Sequence, residues 1–334
     1  MKAMVLAAGR GERLKPLTLT RAKPAVPVFN KPMIVRALDF LFKNGIDEAV
    51  VNLYHLPSSI EDAVRDEGGR MHNVVFSLEE KLLGTAGGLK KAESHFLNET
   101  FIMINSDTLL EFDLDGMLDF HRKSGAIATM LLAKPENNDP FGKVSIDEAN
   151  RIIDILGMVS PGCSAKQMNF IGVHIFEPEI LSYIPDGMPS EINASIYPKM
   201  IRKGETVMAY EHRGPWYDIG TLERYVGVQT GILKDGRRDF QEKGLPGDNC
   251  ISLHNVRIDS SANVVYSVIG KNCFIGKNSK ITGSILLDNV EVDEGAVVES
   301  SIVEKNVKVV AGEVLLNCVK YFDPESGGET VSKI

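Results

Sequence analysis

Ile269, Ile275 and Ile281 stand six residues apart, Gly270 and Gly276 follow the first two, and Val297, Val303, Val309 and Leu315 keep the same step. A six-residue period is neither the 3.6 of a helix nor the 2 of an isolated strand; it marks hexapeptide repeats wound into a β-helix. One repeat is too small to bury its own apolar row, so coils must stack and the end coils must be capped. Residues 250–320 are therefore expected to form a short β-helix, with 321–334 as a C-terminal tail.

The first 234 residues have another texture. Apolar runs at Met4–Ala8, Ala49–Leu53, Val74–Phe76 and Phe101–Ile104 alternate with amphipathic stretches, as βαβ units require. Ile34, Leu38, Leu41 and Phe42 fall on one helical face, and Asp113 gives the stretch to Phe120 an acidic start suited to a helix N-terminus. The expected fold of 1–234 is an α/β domain with a doubly wound, mostly parallel, Rossmann-like sheet. The charged, glycine-containing stretch 235–249 reads as a linker. A length of 334 residues with 43% hydrophobic content supports this division, since single cores rarely exceed about 250–300 residues.

Nucleotides bind such sheets at the carboxyl ends of the strands, so the loops after Ala8 and Ile104 should be neighbours. The first of these carries Gly9-Arg10-Gly11-Glu12-Arg13 and then Lys23-Pro24. Glycines let backbone N–H groups turn toward an anion, and Arg13 and Lys23 add mobile positive charge, so the segment reads as a phosphate grip. It is neither a Walker A loop, which ends in Gly-Lys-Ser/Thr, nor a dinucleotide fingerprint, whose third glycine is Leu14 here.

Leu6-Ala7-Ala8-Gly9, Gly11, Arg13, Pro16-Leu17-Thr18 and Lys23-Pro24 together resemble the opening of the sugar-1-phosphate nucleotidyltransferases, with Glu12 where threonine is usual. The resemblance covers the whole chain and is strongest to mannose-1-phosphate guanylyltransferases that carry a C-terminal hexapeptide β-helix. It implies that a nucleoside triphosphate and a sugar-1-phosphate give a nucleotide-sugar and pyrophosphate, with Arg13 and Lys23 catalytic and Leu6, Ala7, Ala8, Gly9 and Gly11 nucleotide-binding. It also implies Mg²⁺ on Asp107, in Asn105-Ser106-Asp107, and on Asp218, in Trp216-Tyr217-Asp218-Ile219-Gly220-Thr221. Two carboxylates with phosphate oxygens and water make a typical Mg²⁺ shell. Ser106 replaces the glycine usual in the family, and the left hand of the β-helix is likewise taken from the resemblance.

Glu79-Glu80-Lys81-Leu82-Leu83-Gly84-Thr85-Ala86-Gly87-Gly88 resembles the family's base-recognition loop. Its small residues let a flat base lie on backbone, with Glu79, Gly84, Thr85 and Gly87 as nucleotide contacts. A carboxylate from Glu79 or Glu80 could accept N–H groups of guanine, or the imino N–H of uracil or thymine; alternatively Glu79-Glu80-Lys81 is a solvated charged turn. For the sugar, the resemblance points to Gly142, Gly172 and Glu191, which by themselves read equally as turns and strand edges. The family's second phosphate-binding lysine has no counterpart in Ile152–Ser160; either Lys166 substitutes for it or the sugar phosphate is held differently.

GTP with mannose-1-phosphate is the favoured substrate pair. The alternatives are a uridylyl- or thymidylyltransferase acting on glucose-1-phosphate or N-acetylmuramate-1-phosphate, and a non-catalytic nucleotide-sugar-binding regulatory protein. For the β-helix, scaffolding or homo-oligomerisation is expected over acyl transfer, because the tail is short and offers only His254. A net charge of −8 gives no footprint for nucleic acid. The absence of a long apolar run excludes a helical membrane span and leads to the expectation of a cytoplasmic protein. Cys163, Cys250, Cys273 and Cys318 lack paired spacing and read as reduced structural thiols, and His174 reads as a structural residue of an alternating strand.

Overall fold

The computed structural model describes residues 1–67, 73–135, 143–160, 165–237 and 250–334. Gly142, Cys163 and most of the expected linker (238–249) lie outside the described residues. By its internal contacts the chain divides into two compact units. The first is Met1–Arg10 with Met33–Tyr217, and the second is Gly11–Pro32 with Asp218–Ile334.

The first unit is built on a nine-stranded sheet. Lys2–Leu6 is flanked in parallel by Glu48–Leu53 and Phe101–Asn105, and Val74–Leu78 extends the parallel part beyond Glu48–Leu53. Lys2–Leu6, Glu48–Leu53 and Phe101–Asn105 are near-continuous apolar runs because both faces are covered, whereas Val74–Leu78, at the edge, leaves Phe76 and Leu78 exposed. The helix Met33–Lys43 buries Ile34, Leu38, Leu41 and Phe42, the apolar face read from spacing. Each such fully buried aliphatic side chain contributes about 1.5–3 kcal/mol. Asp113 caps the helix Leu114–Ser124 by accepting from the Gly116 N–H at 2.9 Å.

Beyond Phe101–Asn105 the sheet becomes mixed. The long strand Lys166–Phe176 runs antiparallel to Phe101–Asn105, Ala128–Ala133 and Lys143–Ile146, and Val207–His212 pairs in parallel with Ala128–Ala133. His174 lies in the long strand, stacked on Phe170 and Phe176 and bonded through Nδ1 to the Tyr197 hydroxyl at 2.7 Å. Burial pushes its pKa down to about 3, which makes it a neutral structural residue.

In the second unit the expected repeats form stacked coils of parallel strands. Val268–Ile269, Ile285–Leu286 and Ile302–Val303 build one sheet; Phe274–Ile275, Glu291–Val292 and Lys308–Val309 build the next; Lys280–Thr282, Val297–Glu299 and Val314–Leu316 build the third. The match to a left-handed β-helix rests on this stacking of parallel sheets and on hexapeptide sequence. Strand pairing advances by 17 residues per coil, not 18, so one step in three is five residues long. The uniform six-residue step therefore slips at Val297: the side chain buried in the coil is Val298, with Ile281 below it and Leu315 above.

Two ladders keep the coils in register. Asn255, Asn272, Asn289 and Asn306 all have positive φ, and each amide donates to the next Oδ1 at 3.2, 3.0 and 2.7 Å. Asparagine tolerates this left-handed turn where most side chains are strained. Inside, the N–H groups of Ser284, Ser301 and Cys318 each donate to the serine hydroxyl one coil earlier, at 3.1 Å. The 321–334 stretch continues this order, because Cys318–Asp323 and Gly328–Lys333 pair as an antiparallel hairpin. Cys250, Cys273 and Cys318 are free thiols, and burial pushes Cys250 and Cys273 up to about 11. Among the described residues no helix is long and apolar enough to cross a membrane.

Candidate active site

In the first unit, parallel pairing places Leu6 beside Asn105, so the loops leaving these two strands start as neighbours, as strand order predicts. The Ser106 hydroxyl donates to the Leu6 carbonyl at 2.6 Å. The serine that replaces a glycine thus ties the two strand ends together. Asp107 follows it, half-buried, before the strand Thr108–Leu110. Gly172, at φ +94°, passes close to Asn105, whose Cβ would lie 3.1 Å from any added side-chain carbon.

A chain of hydrogen bonds runs from the first strand end to the 83–88 loop. The Ala7 N–H donates to Asn52 Oδ1 at 2.7 Å, Asn52 Nδ2 donates to Glu79 Oε1 at 2.7 Å, and Glu79 Oε2 accepts from the Leu83 N–H at 2.8 Å. Glu79 is 3% exposed and both of its oxygens are engaged. This differs from the expected carboxylate turned toward a base: Glu79 holds the loop from beneath, and its neighbour Glu80 is the exposed one. A buried carboxylate is tolerated only with such partners. Sequence reasoning missed Asn52; the signal was a polar residue inside the apolar run Val50-Val51-Asn52-Leu53.

The same loop is hooked from its other side by residues 190–192. Thr85 donates to Glu191 Oε2 through both its N–H, at 3.2 Å, and its hydroxyl, at 2.7 Å, and that hydroxyl accepts from the Ile192 N–H at 2.9 Å. Ala86 and Gly87 donate to the Ser190 carbonyl at 3.0 and 3.3 Å, and the Ser190 N–H donates to Leu83 O at 2.9 Å. Gly84 is required here: φ is +73°, and a Cβ would lie 2.5 Å from both Ser190 O and Glu191 Oε1. The structure thus joins Gly84, Thr85, Gly87 and Glu191 in one arrangement. Ser190 carries no sequence signal, since its part is played by backbone.

The second unit holds Gly11, Arg13, Lys23 and Asp218. Gly11 has φ +66°, and a Cβ there would approach Lys23 Cβ to 2.9 Å and Thr18 Cγ2 to 3.0 Å. Its carbonyl accepts from the Leu14 N–H at 2.9 Å and the Thr18 hydroxyl at 3.0 Å, which closes the turn. Leu14 and Leu17 anchor it by burial, Arg13 is exposed, and Lys23 is 9% exposed. Glu12, the departure from the family pattern, pairs with Lys15 at the surface at 2.6 Å. Asp218 pairs with Arg224, and the close approach of its Oδ2 to Gly220 leaves no room for a side chain there. The cap of the helix Leu222–Lys234 is Thr221, not Asp218. Lys166, considered above as a substitute phosphate ligand, pairs in the first unit with Glu211 at 3.0 Å.

The first unit thus presents a carboxylate-bearing strand end and a glycine-shaped loop, and the second a glycine-turned basic loop. Residues 2–235 match the Nucleotidyl transferase family model, and residues 240–316 match a GlmU-like, C-terminal hexapeptide model. The chain belongs to the sugar-1-phosphate nucleotidyltransferases. It is 30% identical to a UTP–glucose-1-phosphate uridylyltransferase of Synechocystis sp., over 86% of this chain and 83% of that protein. It is 27% identical to a mannose-1-phosphate guanylyltransferase of Mycobacterium tuberculosis, over 86% and 79%. It is also 31% identical to the mannose-1-phosphate guanylyltransferase catalytic subunit beta of Danio rerio, over 82% and 74%. The enzyme is thus a nucleotidyltransferase, and its relatives divide between guanylyl and uridylyl transfer.

Proposed function

We propose that this enzyme makes a nucleoside-diphosphate sugar from GTP and mannose-1-phosphate, with Mg²⁺, in the cytoplasm and as a homo-oligomer. The observation that carries the reading is the closed hydrogen-bond circuit around Gly84, Thr85 and Gly87, which presents small residues and backbone to a flat base. Names of relatives in Mycobacterium tuberculosis and Danio rerio support the guanylyl and mannosyl choice. Uridylyl transfer to glucose-1-phosphate is the second reading, supported by the Synechocystis relative.

An oxygen of the sugar-1-phosphate attacks the α-phosphorus, a P–O bond forms, and the bond to the β-phosphate oxygen breaks to release pyrophosphate. The nucleophile is already anionic, so alignment and charge neutralisation supply the catalysis and no general base is needed. Arg13 holds the departing pyrophosphate and Lys23 the phosphates near the reacting centre. Leu6 to Gly9 and Gly11 offer backbone to the nucleotide, while Glu191 and Gly172 border the sugar. Asp107 and Asp218 would hold the Mg²⁺: their oxygen donors suit a hard cation that keeps several waters, and Asp218 is held in place by its ion pair with Arg224. When bound, Mg²⁺ neutralises phosphate charge as it develops.

Pyrophosphate release should be measured with GTP, UTP, dTTP, CTP and ATP, each paired with mannose-, glucose-, N-acetylglucosamine- and N-acetylmuramate-1-phosphate. A strong preference for GTP with mannose-1-phosphate is expected. Preference for UTP with glucose-1-phosphate selects the second reading, and nucleotide binding without turnover selects a regulatory protein.

A further inference from the structure

The phosphate-grip segment Gly11–Pro32 is separated in sequence from everything that packs on it inside its own unit. Arg21 forms an ion pair with Glu304, a β-helix residue 283 positions later. Asn30 Nδ2 donates to the Ile269 carbonyl of the β-helix at 2.9 Å. From the helix Leu222–Lys234, the Tyr225 hydroxyl donates to Pro27 O at 2.7 Å, and Gln229 Oε1 accepts from the Phe29 N–H at 2.6 Å. Phe29 and Asn30 have φ of 47° and 62°, a left-handed bend that needs such support.

Glu304 is the unusual member of this set. It is 7% exposed, its Oε1 accepts from Arg21 and from the Lys305 N–H at 3.1 Å, and its Oε2 has no hydrogen-bond partner among the described residues. Burial pushes its carboxyl up against the pull of Arg21 and Lys305. A hydrophobic residue would pack there at less cost, so a half-satisfied buried carboxylate points to a task other than stability.

We propose that Glu304 is a positioning residue for the reaction: through Arg21 it fixes the segment that carries Arg13 and Lys23, so that the β-helix sets the geometry of the phosphate grip. Tyr225 and Gln229 support the segment from within the nucleotidyltransferase match, residues 2–235, and the tie to Glu304 is added from outside it. The inference rests on the roles proposed above for Arg13 and Lys23. Glu304 touches no substrate; it acts by ordering a loop whose displacement by an ångström is enough to cost about a hundredfold in rate.

The test uses the full-length enzyme and Glu304→Gln, which keeps shape and removes charge, beside Arg21→Glu and the charge-exchanged double variant Arg21→Glu with Glu304→Arg. Hydrogen exchange in residues 11–32 should quicken in both single variants while exchange in the coils 268–316 stays at the wild-type rate. Their kcat should fall about ten- to a hundredfold with the KM for sugar-1-phosphate unchanged. The double variant should recover most of both losses, and the fall in kcat at unchanged KM is what a merely structural role would not give. Unchanged exchange in 11–32, or quickened exchange with wild-type kcat, overturns the proposal. Arg13→Ala separates the two causes of failure: it loses turnover if the phosphate-grip reading holds, and keeps it if that reading is the one at fault.

Discussion

The 83–88 loop and the 11–32 loop are both shaped by a glycine at positive φ, yet they are held in opposite ways. Residues 83–88 are held by their own unit, through the Glu79 carboxylate beneath and the Ser190 backbone with the Glu191 carboxylate beside them. Residues 11–32 are held by side chains far along the chain, Tyr225 and Gln229 of the helix Leu222–Lys234 and Glu304 of the β-helix. A site for a base can be rigid and local, because the base is the same before and after reaction. On the function proposed above, a grip on phosphates that separate during reaction would be tied to a distant scaffold, whose order would then bear on turnover.

The largest effect expected falls where neither loop is touched. Asp107→Asn should lower turnover by about 10²–10³-fold or more while circular dichroism and melting temperature stay near wild type. Near-normal turnover would remove Asp107 from the chemistry. Gly84→Ala forces a Cβ to 2.5 Å from Ser190 O at a left-handed position, and should cost about 2–4 kcal/mol in denaturant unfolding. Exchange should quicken in 83–88 and not in 11–32; quickening in both would erase the contrast between the loops.

Glu79→Gln sharpens the same contrast more gently. Its two oxygens receive N–H groups from Asn52 and Leu83, so an amide must turn its own NH₂ against one of them, at a cost of about 1–3 kcal/mol. The KM for nucleotide should rise more than that for sugar-1-phosphate. The smallest effect is a pH slope. His174 is neutral in the fold, with its pKa pushed down to about 3, while the unfolded chain takes up the proton near 6.5. The unfolded state then binds more protons below about pH 6, so unfolding free energy should fall by roughly 1.4 kcal/mol per pH unit from there toward pH 4. The slope, measured by urea titration, should flatten in His174→Gln.

Fold was legible where periodicity is local. The apolar runs gave the parallel strands to within two residues at each end, and the six-residue step gave the β-helix. The five-residue steps were not legible, because Val297 and Val298 are both valine-sized and only closure of a 17-residue coil decides which is inside. The antiparallel half of the sheet was hidden for a related reason: a buried strand such as Lys166–Phe176 shows the same composition in either direction. At the site, Gly11 was legible as a glycine that turns, Gly84 only as a small residue for a base to lie on and Gly172 as a turn or a strand edge; the structure gives each a positive φ. Glu79 was legible as important and not as buried, since a Glu-Glu-Lys run looks solvated until Asn52 and the Leu83 N–H are found against it. The ties from Glu304 and Ser190 carry no sequence signal at all, one because of its distance along the chain and the other because it works through its backbone.

The function proposed above requires that residues 11–32 and residues 83–88 each respond to the nucleotide. Hydrogen exchange of the intact enzyme with and without Mg²⁺ and the nucleoside triphosphate that it turns over tests this directly. Slowed exchange in residues 11–32 and in 83–88 together is the predicted result. Slowing confined to one of them, with the other at its free rate, would contradict the account.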